Sequence, residues 1–277
     1  MTDGSGACSP PRPALELRDA ALSYGSHRLW SGLDLEVRPG EFVAVLGSNG
    51  SGKSSLLRAI LGLQPLTSGS LLVAGRPARR GSRRIGYVQQ QRRLDPTTPL
   101  RARDVVRLGL DGHRWGIALP GRVGWPQVEE ALEHVGALEY ADMPVGLLSG
   151  GEQQRLRIAQ ALVSDPELLL CDEPLLSLDL ASQRTITSLV DRRRREHGTA
   201  VVFVTHEINP VLPYVDRVLY LAGGRFRAGT VGEVLTSEAL SDLFGAPIEV
   251  VRSGGRILVA GVPDSPEDVH HVEEPSR

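Results

Sequence analysis

The apolar positions of this chain fall into short blocks with two different rhythms. Phe42-Val43-Ala44-Val45-Leu46, Leu168-Leu169-Leu170-Cys171 and Ala200-Val201-Val202-Phe203-Val204 are unbroken apolar runs, as expected of strands buried on both faces. Leu15 and Leu17, then Leu22 and Tyr24, then Leu33, Leu35 and Val37 alternate with polar residues instead. That rhythm predicts half-buried antiparallel strands ahead of the first run. Further strands are predicted at residues 71–73 and 85–88, in a hairpin of 218–221 and 225–227 turning at Gly223-Gly224, and near 248–251 and 257–259. Between about residues 92 and 165 the chain turns helical, most clearly at 104–110 and 127–135, with His113, Trp115 and Trp125 read as structural residues of its loops. The prediction is an α/β domain over 14–262 with a mainly parallel sheet, an N-terminal antiparallel β portion and a helical insertion. The polar segments 1–13 and 263–277 are expected to be disordered tails.

The first buried run leads into Gly47-Ser48-Asn49-Gly50-Ser51-Gly52-Lys53-Ser54, which fits the phosphate-cradling pattern G-x-x-x-x-G-K-[ST]. A run of helix formers, Ser55 to Leu61, follows it and stops at Gly62. Strand, glycine loop and helix is the context this motif requires. The glycines let successive N–H groups turn toward one anion, and the helix start adds the positive end of its dipole. In this reading Lys53 reaches the β- and γ-phosphates and the Ser54 hydroxyl sits on Mg²⁺. Of the 31 Lys and Arg residues Lys53 alone is a lysine, at the position where a compact point charge suits phosphate.

Composition narrows the setting. A net charge of −2 gives no bias toward nucleic acid. No apolar run reaches the roughly 18 residues that span a bilayer, and no signal-peptide core is evident, so a membrane role requires a partner. Cys8 and Cys171 lie in dissimilar surroundings, one polar and one apolar, and are not expected to pair. The arginines at 76, 79, 80, 83 and 84, and the run Arg192 to Arg195, are read as solvated faces, the second complementing a helix dipole. His270-His271 is read as part of a solvated tail.

Three further segments carry chemistry. Ser149 with Glu152 forms a capping-box pattern, and Gly150-Gly151 between them suggests a helix start that something must approach closely. Asp172-Glu173 ends a buried strand with two adjacent acids, a costly arrangement unless a cation or ligand uses them. Asp172 is the expected Mg²⁺ holder and Glu173 the residue that orients or deprotonates water. The next buried strand delivers His206 to the same sheet edge, which favours a γ-phosphate contact. Tyr24 alone reads as a half-buried sheet aromatic.

In this order the motifs resemble the ATP-binding subunit of ABC transporters, over about residues 14–250 and hence most of the chain. The resemblance implies a P-loop NTPase core of the ABC ATPase kind that binds ATP with Mg²⁺. It implies that Tyr24 stacks on adenine, and that Gly47 to Ser54 with Ser55 surround the phosphates. Gln90 would contact Mg²⁺ or the lytic water and sense the membrane partner. Glu173 would be the catalytic base, held with the γ-phosphate by His206. Ser149, Gly150, Gly151 and Glu152 would serve the ATP of the other protomer in a head-to-tail dimer, with Asp179 at the same seam. Glu152 and Gln89 depart from the residues commoner at their positions, glutamine and proline. The partners implied are an integral membrane permease, an extracytoplasmic solute-binding protein and a second copy of the chain, with no nucleic acid. The place implied is the cytoplasmic face of the membrane. Pro99 through Val106 and the segment 206–213 are similar to subunits that energise zinc, manganese or iron uptake, and so are 235–238 and 244–247.

Overall fold

A computed structural model describes residues 12–90, 95, 97–111 and 124–261. His113, Trp115, His270, His271 and the expected tails, save Arg12 and Pro13, lie outside the described residues. The chain opens with strands β1 (Leu15–Tyr24) and β2 (His27–Val37), then β3 (Phe42–Gly47) leads through the glycine loop into α1 (Lys53–Ile60). Next come β4 (Ser68–Val73), a short β5 (Arg76–Pro77) and β6 (Ile85–Val88), followed by the helices α2 (Ala102–Asp111), α3 (Trp125–His134) and α4 (Gly150–Leu162). Then β7 (Leu168–Asp172), α5 (Leu180–His197), β8 (Ala200–Val204), β9 (Arg217–Ala222) and β10 (Arg225–Gly229) return to the sheet. Two short helices, α6 (Val231–Val234) and α7 (Ser237–Phe244), precede a last hairpin of β11 (Glu249–Ser253) and β12 (Arg256–Ala260).

Two sheets result. The larger has the order β10-β9-β3-β8-β7-β6 and is parallel except for β10; the smaller, β2-β1-β4-β5, is antiparallel. The unbroken apolar runs become β3, β7 and β8, buried on both faces, and strand alternation sorts their side chains into two cores. Phe42, Ala44, Leu169, Cys171, Val201 and Phe203 face the core shared with α2–α5, where Phe42 and Phe203 stack at 5.5 Å between ring centroids. Val43, Val45, Leu168, Leu170, Val202 and Val204 face the core shared with α1 and the antiparallel sheet.

Three details depart from the sequence reading. In β1 the apolar phase changes from Leu15 and Leu17 to Ala20 and Leu22, because the register slips at a bulge where Asp19 takes φ +43. The freed Asp19 N–H donates to Asp34 Oδ1 at 2.7 Å. Trp125 is the first residue of α3 and not a loop residue, and the Arg107 guanidinium stacks 4.9 Å from its ring centroid, tying α2 to α3.

The third departure concerns Arg192 to Arg195, which do not form one solvated face. Arg193 is 8% exposed and pairs with Asp165. Arg194 donates to Asp191 Oδ1 at 2.7 Å, to Asp216 Oδ2 at 2.8 Å and to Gly40 O at 2.9 Å, so it pins α5 to the start of β3 and β9. Two carboxylates and a carbonyl converging on one guanidinium satisfy its fork, which is why it can be half-buried. Arg194→Ala is expected to cost about 2 kcal/mol by leaving Asp191 and Gly40 O short of a donor. Arg195→Ala, at a 65% exposed side chain, should cost under about 0.5 kcal/mol. Urea denaturation of the two variants measures the difference.

Candidate functional site

Because β3, β6, β7 and β8 are parallel, their carboxyl ends meet at one sheet edge, where ligands of α/β proteins sit. β3 delivers the glycine loop there, β6 delivers Gln90, β7 delivers Asp172 and Glu173, and β8 delivers His206.

The loop is held from both sides at distances that only glycine allows. A Cβ on Gly47 would lie 2.3 Å from Leu221 O in β9 and 2.6 Å from Ser51 Oγ. Gly52 has φ +97, and a Cβ there would lie 2.9 Å from the indole Nε1 of the fully buried Trp30 in β2. Asn49 and Gly50 remain exposed, as does Ser54 in the first turn of α1. Lys53 is buried, and its Nζ donates to Gly47 O at 2.6 Å and Ser48 O at 2.8 Å. Burial pulls its pKa below the ordinary lysine value, against the attraction of Glu173 and Asp172. A phosphate oxygen is a stronger partner for this ammonium than a carbonyl, so the loop fits an anionic polyphosphate.

The acids opposite are treated differently. Asp172 accepts a hydrogen bond from the Tyr87 hydroxyl at 3.1 Å, and burial raises its pKa, with neighbouring Glu173 adding to the shift. Glu173 adopts φ +46, and its N–H donates to Val204 O at 3.0 Å. A left-handed glutamate costs on the order of 1–3 kcal/mol, which the flanking strands sustain. Its carboxylate accepts from Gln90 Nε2 at 3.1 Å through Oε2, and its Oε1 lies 3.7 Å from His206 Nδ1. The His206 side chain is 57% exposed. Glu173, His206 and Gly47 to Asn49 share the wall of a cavity of about 520 Å³ with Ile208, Leu235 and Val259. Tyr24 stands at the end of β1 beside α1, 47% exposed, its hydroxyl hydrogen-bonded to Gln64 and 3.4 Å from Ser55 Oγ.

Ser149 to Glu152 form a second group, and none of them lines that cavity. Ser149 Oγ accepts from Glu152 N at 3.3 Å, and Glu152 Oε2 accepts from Ser149 N at 2.7 Å, which closes a capping box and holds the Glu152 pKa below its usual range. Asp179 caps α5 by accepting from Ser182 N at 2.9 Å and Ser182 Oγ at 2.8 Å. A Cβ on Gly151 would lie 2.8 Å from that same Ser182 Oγ, so the starts of α4 and α5 touch. Leu147 and Leu180 beside them are 66% and 69% exposed.

Three contributors escape the sequence reading. Tyr87 supports Asp172, Ser182 joins Gly151 to Asp179, and Trp30 backs Gly52. Tyr87 had a signal, a phenol next to last in β6, the strand that neighbours β7. Trp30 and Ser182 had none, since both act through close packing between elements distant in sequence.

A glycine cradle with one buried lysine, facing a strand-end acid pair and a histidine from the adjacent strand, defines a P-loop nucleotide triphosphatase. Residues 30–176 match the ABC transporter family. The zinc transport system ATP-binding protein TroB of Treponema pallidum is 36% identical, with 85% of this chain and 88% of TroB aligned. The manganese transport system ATP-binding protein MntB of Halalkalibacterium halodurans is 32% identical over 90% and 99%, and the zinc import ATP-binding protein ZnuC of Pseudomonas fluorescens 36% over 83% and 82%. Among solved structures, a chain of an ABC transporter in an inward-facing conformation superposes with TM-score 0.75 at 29% identity, covering 92% of this chain and 99% of that one. The dimeric ATP-binding cassette MJ0796 bound to ADP and Pi superposes with TM-score 0.66 at 31% identity, over 78% and 98%. This chain belongs to the ABC transporter family, as an ATP-binding ATPase subunit. Among the described residues no helix is long and apolar enough to cross a membrane.

Gly52→Ala is expected to weaken ATP binding by at least about tenfold, because the new methyl meets a rigid buried indole at a left-handed φ. Titration with a fluorescent ATP analogue measures this, and unchanged affinity would refute the packed-loop account.

Proposed function

We propose that this chain hydrolyses ATP, with Mg²⁺, to drive import of zinc or manganese through a separate membrane permease. The observation that carries the catalytic reading is Glu173, one carboxylate oxygen on the Gln90 amide and the other facing His206, across the loop from Lys53. The Gln90 amide fixes the direction in which the Glu173 carboxylate would accept a proton from water. Lys53 and the loop N–H groups stabilise charge on the phosphates. His206 stands 3.7 Å from Glu173 on the same cavity wall, where a small turn of its exposed imidazole would bring it to Glu173 or to a terminal phosphate. The donors for Mg²⁺ fit that ion: the exposed Ser54 hydroxyl and the Asp172 carboxylate, with Gln90 at hand. Magnesium takes one or two carboxylates plus phosphate oxygens rather than an all-protein cage. Bound there, Mg²⁺ would also offset the charge that makes Asp172 costly to bury.

Dimerisation is part of the proposal. Gly150 and Gly151 lie outside the chain's own phosphate cavity, with Leu147 and Leu180 exposed beside them. A head-to-tail partner covering that face would put Ser149, Gly150 and Gly151 over the other copy's ATP, Tyr24 on its own adenine and Asp179 at the seam. The metal assignment is supported by relatives named for zinc and manganese transport at 32–37% identity. A permease holding the chain at the cytoplasmic face, and an extracytoplasmic binding protein, complete the system.

Glu173→Gln keeps a hydrogen-bond acceptor but removes the base; it is expected to cut turnover by about 10²–10⁴ while ATP binding persists and a dimer accumulates. Steady-state ATPase and size-exclusion chromatography with ATP read both, and normal turnover would sink the assignment. Deletion of the gene should lower uptake of radioactive zinc or manganese, with restoration by the wild-type chain and none by Glu173→Gln.

A further inference from the structure

The last hairpin is fastened to the segment that carries the histidine. The Asn209 side chain donates from Nδ2 to Ile257 O at 2.9 Å and accepts at Oδ1 from Ile257 N at 2.8 Å. One amide thus completes a two-bond pairing with the backbone of β12, across a separation of 48 residues. Ile257 beneath it is 4% exposed and packs in the same core as Ile208 and Leu235. Val259, two residues along β12, reaches the cavity wall that Glu173 and His206 also line.

The other end of the segment is also fixed. Thr205 N donates to Val45 O at 3.1 Å, and the Thr205 hydroxyl both donates to Glu207 O and accepts from Glu207 N. His206 therefore projects from a short strap held at Thr205 by the central sheet and at Asn209 by the hairpin. The strap is held while the imidazole is not: it stands 3.7 Å from Glu173, beyond hydrogen-bonding reach, and is mostly exposed. Its distance to Glu173 depends on where the strap is fixed.

We infer that Asn209 is a positioning residue for hydrolysis, and that the hairpin β11–β12 sets the reach of His206 through it. The Asn209 side chain bonds to the Ile257 backbone and not to Glu173 or His206, so it acts by limiting the orientations His206 can take. This inference rests on the role proposed for His206.

A double-mutant cycle under single-turnover conditions, with enzyme in excess over ATP, tests it. Asn209→Ala is expected to lower the hydrolysis rate by about tenfold, with ATP affinity within about twofold of wild type. In a His206→Ala background the same change should add no further loss. Asn209→Asp keeps the acceptor for Ile257 N but sets a carboxylate against Ile257 O, and should fall on the slow side as well. Circular-dichroism melting of each variant identifies any that fail to fold, and if Asn209→Ala does not fold the cycle is run with Asn209→Asp. An undiminished rate would overturn the inference, as would a loss of affinity instead of rate, or an equal loss in both backgrounds. If His206→Ala alone hydrolyses normally, it is the role of His206 that fails.

Discussion

The site depends on two close approaches that admit no side chain. Gly47 lies against the Leu221 carbonyl of the central sheet, and Gly52 against the Trp30 indole of the antiparallel sheet. The phosphate loop is therefore wedged between the two layers, its shape set by the distance between them. That distance is set by the core of Val43, Val45, Val202 and Val204 on one side and Leu22, Leu33 and Leu57 on the other. Close packing makes such a gap stiff, because a core resists a change of even one methylene. The cradle can hold its donors in place before a nucleotide arrives, and no ordering of the loop is charged against binding.

Charge follows the same geometry. Lys53 is buried among carbonyls, and Asp172 and Glu173 end a strand with no lysine or arginine in direct contact among the described residues. Each group is costly to desolvate alone. They are held near each other, close enough for the acids to pull the lysine's pKa up against its burial, yet the lysine's ammonium donates to Gly47 O and Ser48 O of the loop. A Mg²⁺–polyphosphate, with charges of both signs, is suited to answer the lysine and the acids together.

Much of this was legible in the sequence. The buried strands read directly because a strand covered on both faces needs apolar residues at every position, and the strand-end residues that follow them fall on one edge once the sheet is parallel. The unread parts share a physical cause. The β1 bulge is a backbone event in which one residue changes the phase of the alternation, so Leu15–Leu17 and Leu22–Tyr24 read as separate stretches although they lie on one strand. Arg193 and Arg194 look like any surface arginines, since burial of a guanidinium depends on acids at positions 165, 191 and 216 that only the fold assembles. Trp125 was misplaced because Gly124 and Pro126 around it read as loop residues, whereas Gly124 caps the helix and Pro126 suits its first turn.

The end of the chain carries the same logic into the active edge. Residues 249–260 lie beyond the segment that matches the family, and their strands pair with each other and with no strand of either large sheet. A two-stranded hairpin is marginal on its own, so this one draws its order from what it packs against. It packs against Ile208, Leu235 and Asn209, which also bear on the cavity or the histidine strap. Order therefore passes in both directions: the strap holds the hairpin in place, and the hairpin limits the strap. The histidine strap and the hairpin thus share one attachment, the paired hydrogen bonds between Asn209 and Ile257.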